Sequence, residues 1–226
     1  MKLFVIGATG RTGREILQVA HERGHTVTAF VRSPRKLPAA GWLSVVPGNP
    51  QHSGQIAAAL PGHDAVLSAI GPPPRDAFRP STLLTDCVRA TLEAMRTTGV
   101  TRLAIVSAAV LFPEKGLYFA FFRWMLRHHA RDLLSMEELV KASGLDWTIA
   151  RSPRLTKSAQ VGFRAVDGAL PPGSKAMSYR SVAAFLVDAV ERRLHVERVV
   201  GLGPAAVPAT NGQPISRPAF ERESMR

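Results

Sequence analysis

Short runs of apolar residues alternate along the chain with longer stretches in which apolar residues recur every three or four positions. The first pattern is typical of strands buried in a sheet, and the second is typical of helices that bury one face. Strands are therefore predicted at residues 2–6, 25–31, 43–46, 64–70, 102–107 and 146–151. Helices are predicted at residues 12–23, 53–60, 81–98 and 117–143, with a short helix starting at Ser33.

This alternation of strands and helices predicts a parallel sheet with helices on both faces, which is a Rossmann-type doubly wound α/β fold. In such sheets ligands bind outside the carboxyl ends of the strands, where the strand order reverses. The loops expected at that edge are 7–13, 32–36, 48–50, 71–76, 107–115 and 152–157. Candidate functional residues are therefore sought in these loops.

The last part of the chain adds a small C-terminal extension to the predicted sheet. Its pattern indicates a strand pair after about residue 161, a Pro-Pro-Gly turn at 171–173, a helix at 181–193 and a last strand at 198–202. We expect a single domain over residues 1–203, with segments at about 108–135 and 152–203 on the substrate side. Residues 204–226, with four prolines and little periodicity, are predicted to form a mobile tail.

Composition and charge limit which partners and which cell compartment we expect for the protein. With 226 residues, of which 46% are apolar, the chain can bury one α/β core. Its single cysteine, Cys87, excludes a disulfide framework and a cysteine-based metal site. The net charge of +12 comes from scattered basic residues, so it favours no specific nucleic acid. The chain opens in a strand and not in an export signal, and its most apolar segment, at 117–122, is too short to span a bilayer, so a cytoplasmic protein without a membrane span is expected.

The strongest chemical signal is the Gly-Ala-Thr-Gly-Arg-Thr-Gly motif at residues 7–13, directly after the first predicted strand. Gly7 allows a sharp turn, Gly10 lets a ligand approach the main chain, and Gly13 lets the helix pack close to its strand. The open N–H groups and the positive end of the helix dipole suit a pyrophosphate. In its strand–turn–helix context the motif predicts a dinucleotide site and not an ordinary glycine-rich turn.

The end of the second predicted strand indicates which dinucleotide binds. Cofactors with a free ribose 2′-hydroxyl usually meet an Asp or Glu there, but this chain has Arg32, followed by Arg35 and Lys36. A guanidinium suits a 2′-phosphate through paired charge-assisted hydrogen bonds. NADP(H) is therefore favoured over NAD(H), the alternative being that Arg32 is a solvated loop residue.

With these residues in hand, the chain resembles the atypical short-chain dehydrogenase/reductases, in particular the NAD(P)H-binding proteins similar to biliverdin-IXβ/flavin reductase and NmrA-like proteins. The likeness covers roughly residues 1–203. Its matching stretches are 7–13, 31–37, 106–108, 143–149, 151–153 and the helix beginning near Ser181.

The resemblance implies specific roles for the strand-end residues. The pyrophosphate would be held by Gly7, Thr9, Gly10, Arg11, Thr12 and Gly13. Arg32 and Lys36 would hold the 2′-phosphate, and Asn49 stands where relatives commonly have an Asp near the adenine. The implied cofactor-binding set is completed by Gly71, Ser107, Ala108 and Pro153.

Candidates for the chemistry itself lie further along the chain. The Tyr-x-x-x-Lys dyad of the classical members is absent, because Tyr118 and Tyr179 are followed four residues later by Phe122 and Ala183. The likeness supports a positioning or proton-relay role for Ser107, against the alternative that its hydroxyl only caps a strand end. Arg154 stands where biliverdin-reductase-like proteins tend to have a histidine; it can bind an acidic substrate or the cofactor phosphates, but an arginine is a poor proton donor.

Two further features suit more than one role. The aromatic stretch at 112–124 would serve as an apolar lid over the nicotinamide, or equally as core packing or a homodimer contact. His128 and His129 would point about 100° apart on a helix, which argues against a shared metal, and no metal is predicted.

Two classes of function remain. The first is an NADPH-dependent reductase that passes hydride to a planar small molecule, such as a flavin, a quinone or a tetrapyrrole-like acceptor. The second, motivated by the missing dyad, is an NmrA-like regulatory protein that binds NADP(H) without turning it over. Nucleic-acid binding would rest on the net charge alone and would be non-specific.

Overall fold

A computed structural model describes residues 1–72, 79–112 and 127–205 of the protein. The strands in these residues are β1 (Lys2–Ile6), β2 (Thr26–Val31), β3 (Leu43–Pro47), β4 (Ala65–Ser68), β5 (Arg102–Ala108), β6 (Asp146–Ser152), β7 (Arg154–Thr156), β8 (Phe163–Asp167), β9 (Ala176–Ser178) and β10 (Arg198–Pro204). The α-helices are α1 (Arg11–Glu22), α2 (Ser53–Ala59), α3 (Leu83–Thr98), α4 (Arg127–Lys141) and α5 (Tyr179–Glu191). A short 3₁₀ turn spans Pro34–Lys36, where the short helix was predicted.

The main sheet has the strand order β3-β2-β1-β4-β5-β6-β10-β8. All neighbouring strands run parallel except β8, which pairs antiparallel with β10 at the edge. The chain moves outward from β1 to β3, then returns to β4 on the other side of β1. The order therefore reverses between β1 and β4, which places the expected ligand crevice there. The predicted doubly wound α/β fold is confirmed.

The predicted strand pair after residue 161 is wrong in its partners. Two strands do form there, β8 and β9, but β8 pairs with β10, and β9 pairs with β7 in a separate two-stranded sheet. A local pattern predicts extended backbone, whereas partners are set by which sheet edges the fold leaves open. Here the open edge of β10 takes β8.

The sheet separates two apolar layers, and the strand residues alternate between them. In β1, Leu3 and Val5 face the layer that contains α1 and α5, whereas Phe4 and Ile6 face the layer that contains α2, α3 and α4. Successive strand side chains point to opposite faces, so a strand covered on both faces must be apolar at every position. This explains the continuous apolar runs in the sequence.

Two buried polar residues fix elements of the fold to one another. Asp132 of α4 accepts hydrogen bonds from the main-chain nitrogens of Leu84 and Thr85, both at 3.0 Å, and so caps the start of α3. Arg102, at the start of β5, donates to the carbonyl oxygens of Asp146 and Ala189, both at 2.7 Å. Burial lowers the pKa of Arg102 to about 10, which still leaves its guanidinium charged at neutral pH.

Several predictions concern residues outside the described ranges. The predicted helix at 117–143 is described only as α4, and residues 113–126, which hold most of the aromatic stretch, are not described. The same applies to residues 206–226 of the predicted tail.

Cys87 is buried in α3, where burial raises the pKa of its thiol to about 12, so it behaves as a small apolar side chain. No helix in the described part of the chain is long and apolar enough to cross a membrane.

Candidate functional site

The glycine motif forms a tight turn between β1 and α1, and two of its glycines have no room for a side chain. Gly7 has a φ of +83°, and a Cβ there would lie 2.7 Å from the main-chain carbon of Ala69, just beyond β4. A Cβ on Gly13 would lie 2.2 Å from the carbonyl oxygen of Gly7. Gly13 thus serves the close packing of α1 on β1, and it does not line the cleft described below. These contacts hold the start of α1 against the crevice between β1 and β4.

The first turn of α1 leaves its main-chain donors open. The helix begins after Gly10, which supplies no side-chain cap, and its first turn contains no acidic residue. The first N–H groups of a helix have no partner within the helix, and together with the helix dipole they favour an anion. The turn and helix start therefore have the features that bind a pyrophosphate.

A cleft of about 570 Å³ extends from this turn across the carboxyl edge of the sheet. Its lining includes residues at or just after the carboxyl ends of β1 to β6. Residues predicted to bind the cofactor that line it are Gly7, Thr9, Gly10, Arg11, Thr12, Arg32, Gly71, Ser107, Ala108 and Pro153. Lys36, Asn49 and Arg154 do not line it. The structure thus brings predicted residues from the carboxyl ends of five strands to one cleft.

The end of β2 contributes a cation to the cleft. Arg32 is exposed, and within the described residues it makes no hydrogen bond or ion pair. Lys36 does not line the cleft, but its main-chain carbonyl oxygen accepts a hydrogen bond from Arg14 at 2.6 Å. The same guanidinium also donates to the carbonyl oxygen of Thr9 at 3.3 Å. Arg14, which sequence reasoning missed, thereby links the glycine turn to the loop after β2.

Asn49, predicted near the adenine, lies in the loop after β3. Its side-chain oxygen accepts from the main-chain nitrogen of Gln51 at 3.2 Å, and its own main-chain nitrogen donates to the side chain of Gln55 at 2.8 Å. The neighbouring Pro50 is the residue of this loop that lines the cleft. A role for Asn49 towards the adenine stays a prediction.

The far end of the cleft contains a buried polar network around Ser107. The Ser107 hydroxyl donates to Oε1 of Glu137 at 2.7 Å. Arg151 donates to both carboxylate oxygens of Glu137, at 2.9 and 2.7 Å, and Lys141 donates to Oε2 at 3.2 Å. The guanidinium carbon of Arg151 also lies 4.7 Å from the ring centre of Phe112. The single hydroxyl proton of Ser107 is thus directed away from any ligand.

The charge state of Glu137 follows from these contacts. Its side chain is completely buried, and burial alone would raise its pKa. The hydrogen bonds from Arg151 and Ser107, with the nearby Lys141 cation, outweigh that effect, so the pKa of Glu137 lies below its ordinary value. Glu137 is therefore a carboxylate at neutral pH.

Two titratable side chains that were not predicted as site residues also line the cleft. Burial lowers the pKa of His129, with Asp132 acting in the opposite direction, so the imidazole is neutral at pH 7. The hydroxyl of Tyr179, at the start of α5, accepts a hydrogen bond from Arg11 at 3.1 Å. Either residue can offer a polar group to a ligand in the cleft.

Arg154 lies on β7, exposed and outside the cleft lining. The arginine that reaches the network behind Ser107 is instead Arg151, on the buried end of β6. The sequence contained one signal for this network: Glu137 shares a helix face with the buried residues Leu133, Met136 and Val140. A charged residue on an apolar helix face requires a buried partner.

Comparison with known proteins agrees with this geometry. A family model described as NAD(P)H-binding matches residues 7–193. The oxidoreductase stcQ of Emericella nidulans is 32% identical over 233 aligned positions, covering 89% of this chain and 82% of that protein.

Solved structures share the fold. A short-chain dehydrogenase/reductase from Veillonella parvula, in complex with NADP, has a TM-score of 0.75 at 15% identity, over 91% of this chain and 95% of that one. A proposed NADH-flavin reductase from Streptococcus pneumoniae has a TM-score of 0.70 at 23% identity, over 90% of this chain and 99% of that one. These structures show that the chain has a Rossmann-type fold, and the match over residues 7–193 shows that the protein belongs to the NAD(P)H-binding family.

Proposed function

We propose that the protein is an NADPH-dependent reductase that transfers hydride to a planar acceptor such as a flavin, a quinone or a tetrapyrrole-like molecule. The observation that carries this proposal is the single continuous cleft, which joins the glycine turn, Arg32 and the Ser107 end of the sheet. A dinucleotide needs an anion site at one point and an apolar, water-poor site at another. The glycine turn suits the first of these, and the apolar residues at the other end of the cleft suit the second.

The preference for NADP(H) rests on the loop after β2. Arg32 faces the cleft and is unpaired among the described residues, and the sequence has no acidic residue between Val31 and Lys36. A carboxylate in that loop would repel a 2′-phosphate, whereas a guanidinium attracts it. The NADP found in the Veillonella parvula structure supports the same choice.

The planar acceptor is supported by the apolar residues at the far end of the cleft. The cleft there is lined by Val106, Leu133, Pro153 and Leu155, together with the imidazole of His129. Apolar walls favour a flat, largely apolar ligand and exclude water. Bound NADPH would supply the hydride, and the residues of the chain would orient the two molecules. The proposed flavin reductase of similar fold is in line with this acceptor class.

The test is NADPH oxidation by the purified protein with flavins, quinones and a linear tetrapyrrole, followed at 340 nm. We expect turnover with at least one of them, and slower turnover when NADH replaces NADPH. Binding of NADPH without turnover on any acceptor would refute the reductase proposal.

A second candidate is an NADP(H)-sensing regulatory protein. The observation that favours it is the Ser107 hydroxyl, whose proton is held by Glu137 and is therefore not offered to a substrate. In that case NADP⁺ and NADPH would bind with similar affinity, no acceptor would be reduced, and the nucleotide would change the binding of a partner protein. Turnover in the assay above would exclude a purely sensing role.

A further inference from the structure

The direction of the hydrogen bond at Ser107 restricts what this residue can do in the cleft. A serine hydroxyl has one proton to donate and two lone pairs that accept. The proton of Ser107 is donated to Glu137, at an oxygen–oxygen distance of 2.7 Å. Only lone pairs remain for a ligand.

This direction is fixed because Glu137 is held as an anion. An ionised carboxylate can accept but cannot donate. Arg151 binds both of its oxygens, and Lys141, whose side chain is 41% exposed, binds one of them. Reversing the Ser107 hydrogen bond would require a proton on a carboxylate that already accepts bonds from two cations, which is unfavourable.

The other end of the cleft indicates which part of the cofactor meets Ser107. If the pyrophosphate lies at the glycine turn and the 2′-phosphate at Arg32, the adenosine half occupies the β2 side. The nicotinamide half must then extend towards β5, where Ser107 lies. The nicotinamide ring carries one hydrogen-bond donor group, the NH₂ of its carboxamide.

We propose that Glu137 is a positioning residue that makes Ser107 a hydrogen-bond acceptor for the carboxamide NH₂ of the nicotinamide. The inference rests on the proposed NADP(H) site and adds to it a role for a residue that does not touch the cofactor. It also means that Ser107 orients the ring and does not supply a proton to the acceptor.

The test compares NADP⁺ with its 3-acetylpyridine analogue, in which a methyl group replaces the carboxamide NH₂. Binding is measured by equilibrium titration, without turnover. The wild-type protein should bind NADP⁺ more tightly than the analogue, by about 2- to 10-fold for one hydrogen bond. Ser107→Ala should weaken NADP⁺ binding by that factor and leave the analogue unchanged, because only NADP⁺ has the donor. Equal weakening of both ligands would overturn the proposal.

Glu137→Gln tests the positioning role directly. The new amide keeps the shape of the side chain but has one acceptor oxygen where Glu137 has two. With that oxygen at the Oε2 position, where it keeps the hydrogen bonds from Arg151 and Lys141, its NH₂ faces Ser107. The Ser107 proton then points into the cleft and opposes the carboxamide NH₂, so the preference for NADP⁺ over the analogue should disappear. Lys141→Gln, which keeps Glu137 paired with Arg151, should retain the preference.

Folding and cofactor binding are checked separately, so that the outcomes stay distinct. If Glu137→Gln does not fold, Ser107→Ala still decides the proposal, because it leaves the Glu137–Arg151 pair intact. Failure of the wild-type protein to bind NADP⁺ at all would refute the proposed function. Intact binding with no preference between NADP⁺ and the analogue would refute this inference alone.

Discussion

Replacing Arg32 by glutamate should remove the proposed preference of the site for NADPH over NADH, because the guanidinium that attracts the 2′-phosphate is lost. Arg32 is exposed and makes no hydrogen bond or ion pair with other described residues, so its replacement costs little stability. A hydrogen bond to a charged group contributes about 1.5–3 kcal/mol, and solvent screening places this exposed site near the lower figure. Because about 1.4 kcal/mol corresponds to a factor of ten, NADPH binding should weaken at least about 10-fold. NADH lacks the 2′-phosphate, so its affinity should change little.

The assay is a fluorescence titration of both nucleotides at two salt concentrations, with Arg35→Glu as the matched control. Arg35 lies in the neighbouring 3₁₀ turn, is also exposed, and does not line the cleft. Arg35→Glu therefore changes the charge by the same amount without removing the proposed contact between Arg32 and the 2′-phosphate. Equal loss of NADPH and NADH affinity in Arg32→Glu, or an equal effect of Arg35→Glu, would show that Arg32 does not bind the 2′-phosphate.

Three further predictions test the turn, the packing and the pH response. Gly13→Ala should abolish nucleotide binding, because the added Cβ would lie 2.2 Å from the Gly7 carbonyl oxygen. The control Gly54→Ala should bind normally, because a Cβ at Gly54 meets open space. A nucleotide titration of both variants checks this. Arg102→Met should lower the free energy of unfolding by about 3 kcal/mol or more, because buried carbonyl groups lose their donors, yet leave nucleotide affinity unchanged. Urea unfolding and a nucleotide titration of the same variant check this. Unchanged stability or weakened nucleotide binding would contradict it. Because burial lowers the pKa of His129 below the ordinary 6.5, the folded state binds fewer protons than the unfolded state, and stability should fall as pH drops below about 6.5. His129→Gln should reduce that slope in urea unfolding from pH 7 to 5, and an unchanged slope would assign it to other groups.

The sequence predicts the central strands well because the sheet is covered on both faces. β1 is found at the predicted residues 2–6, and β3 and β6 each extend one residue beyond the predicted 43–46 and 146–151. Their continuous apolar runs have no other stable location than the interior of such a sheet. The boundaries of α1 and α5 shift by one or two residues, as expected where helix ends are set by competing caps.

The partners of the later strands were not predictable from local pattern. β8 and β9 are close in sequence, yet each pairs with a strand from elsewhere in the chain. The pairing depends on the free edge of β10, which exists only once the sheet has assembled. A turn signal between two short strands is therefore insufficient evidence for a hairpin.

The residues of the candidate site also fall into two groups, those that the sequence predicts and those that it does not. The glycine turn and Arg32 are adjacent to strands in the sequence, and their physical roles can be argued from spacing and charge. Glu137 and Arg151 lie 30 and 44 residues after Ser107, and nothing in the spacing connects the three. Their association requires α4 to pack over the ends of β5 and β6.

The amino-acid sequence by itself determined the doubly wound fold, the glycine turn after β1 and the basic residue at the end of β2, because each depends on residues that are neighbours along the chain. Only the tertiary structure decided which way the Ser107 proton points, that Arg154 lies outside the cleft, and that His129 and Tyr179 line it. The physical reason is that hydrogen-bond direction and burial depend on groups contributed by distant segments. Those groups meet only when the helices have packed on the sheet.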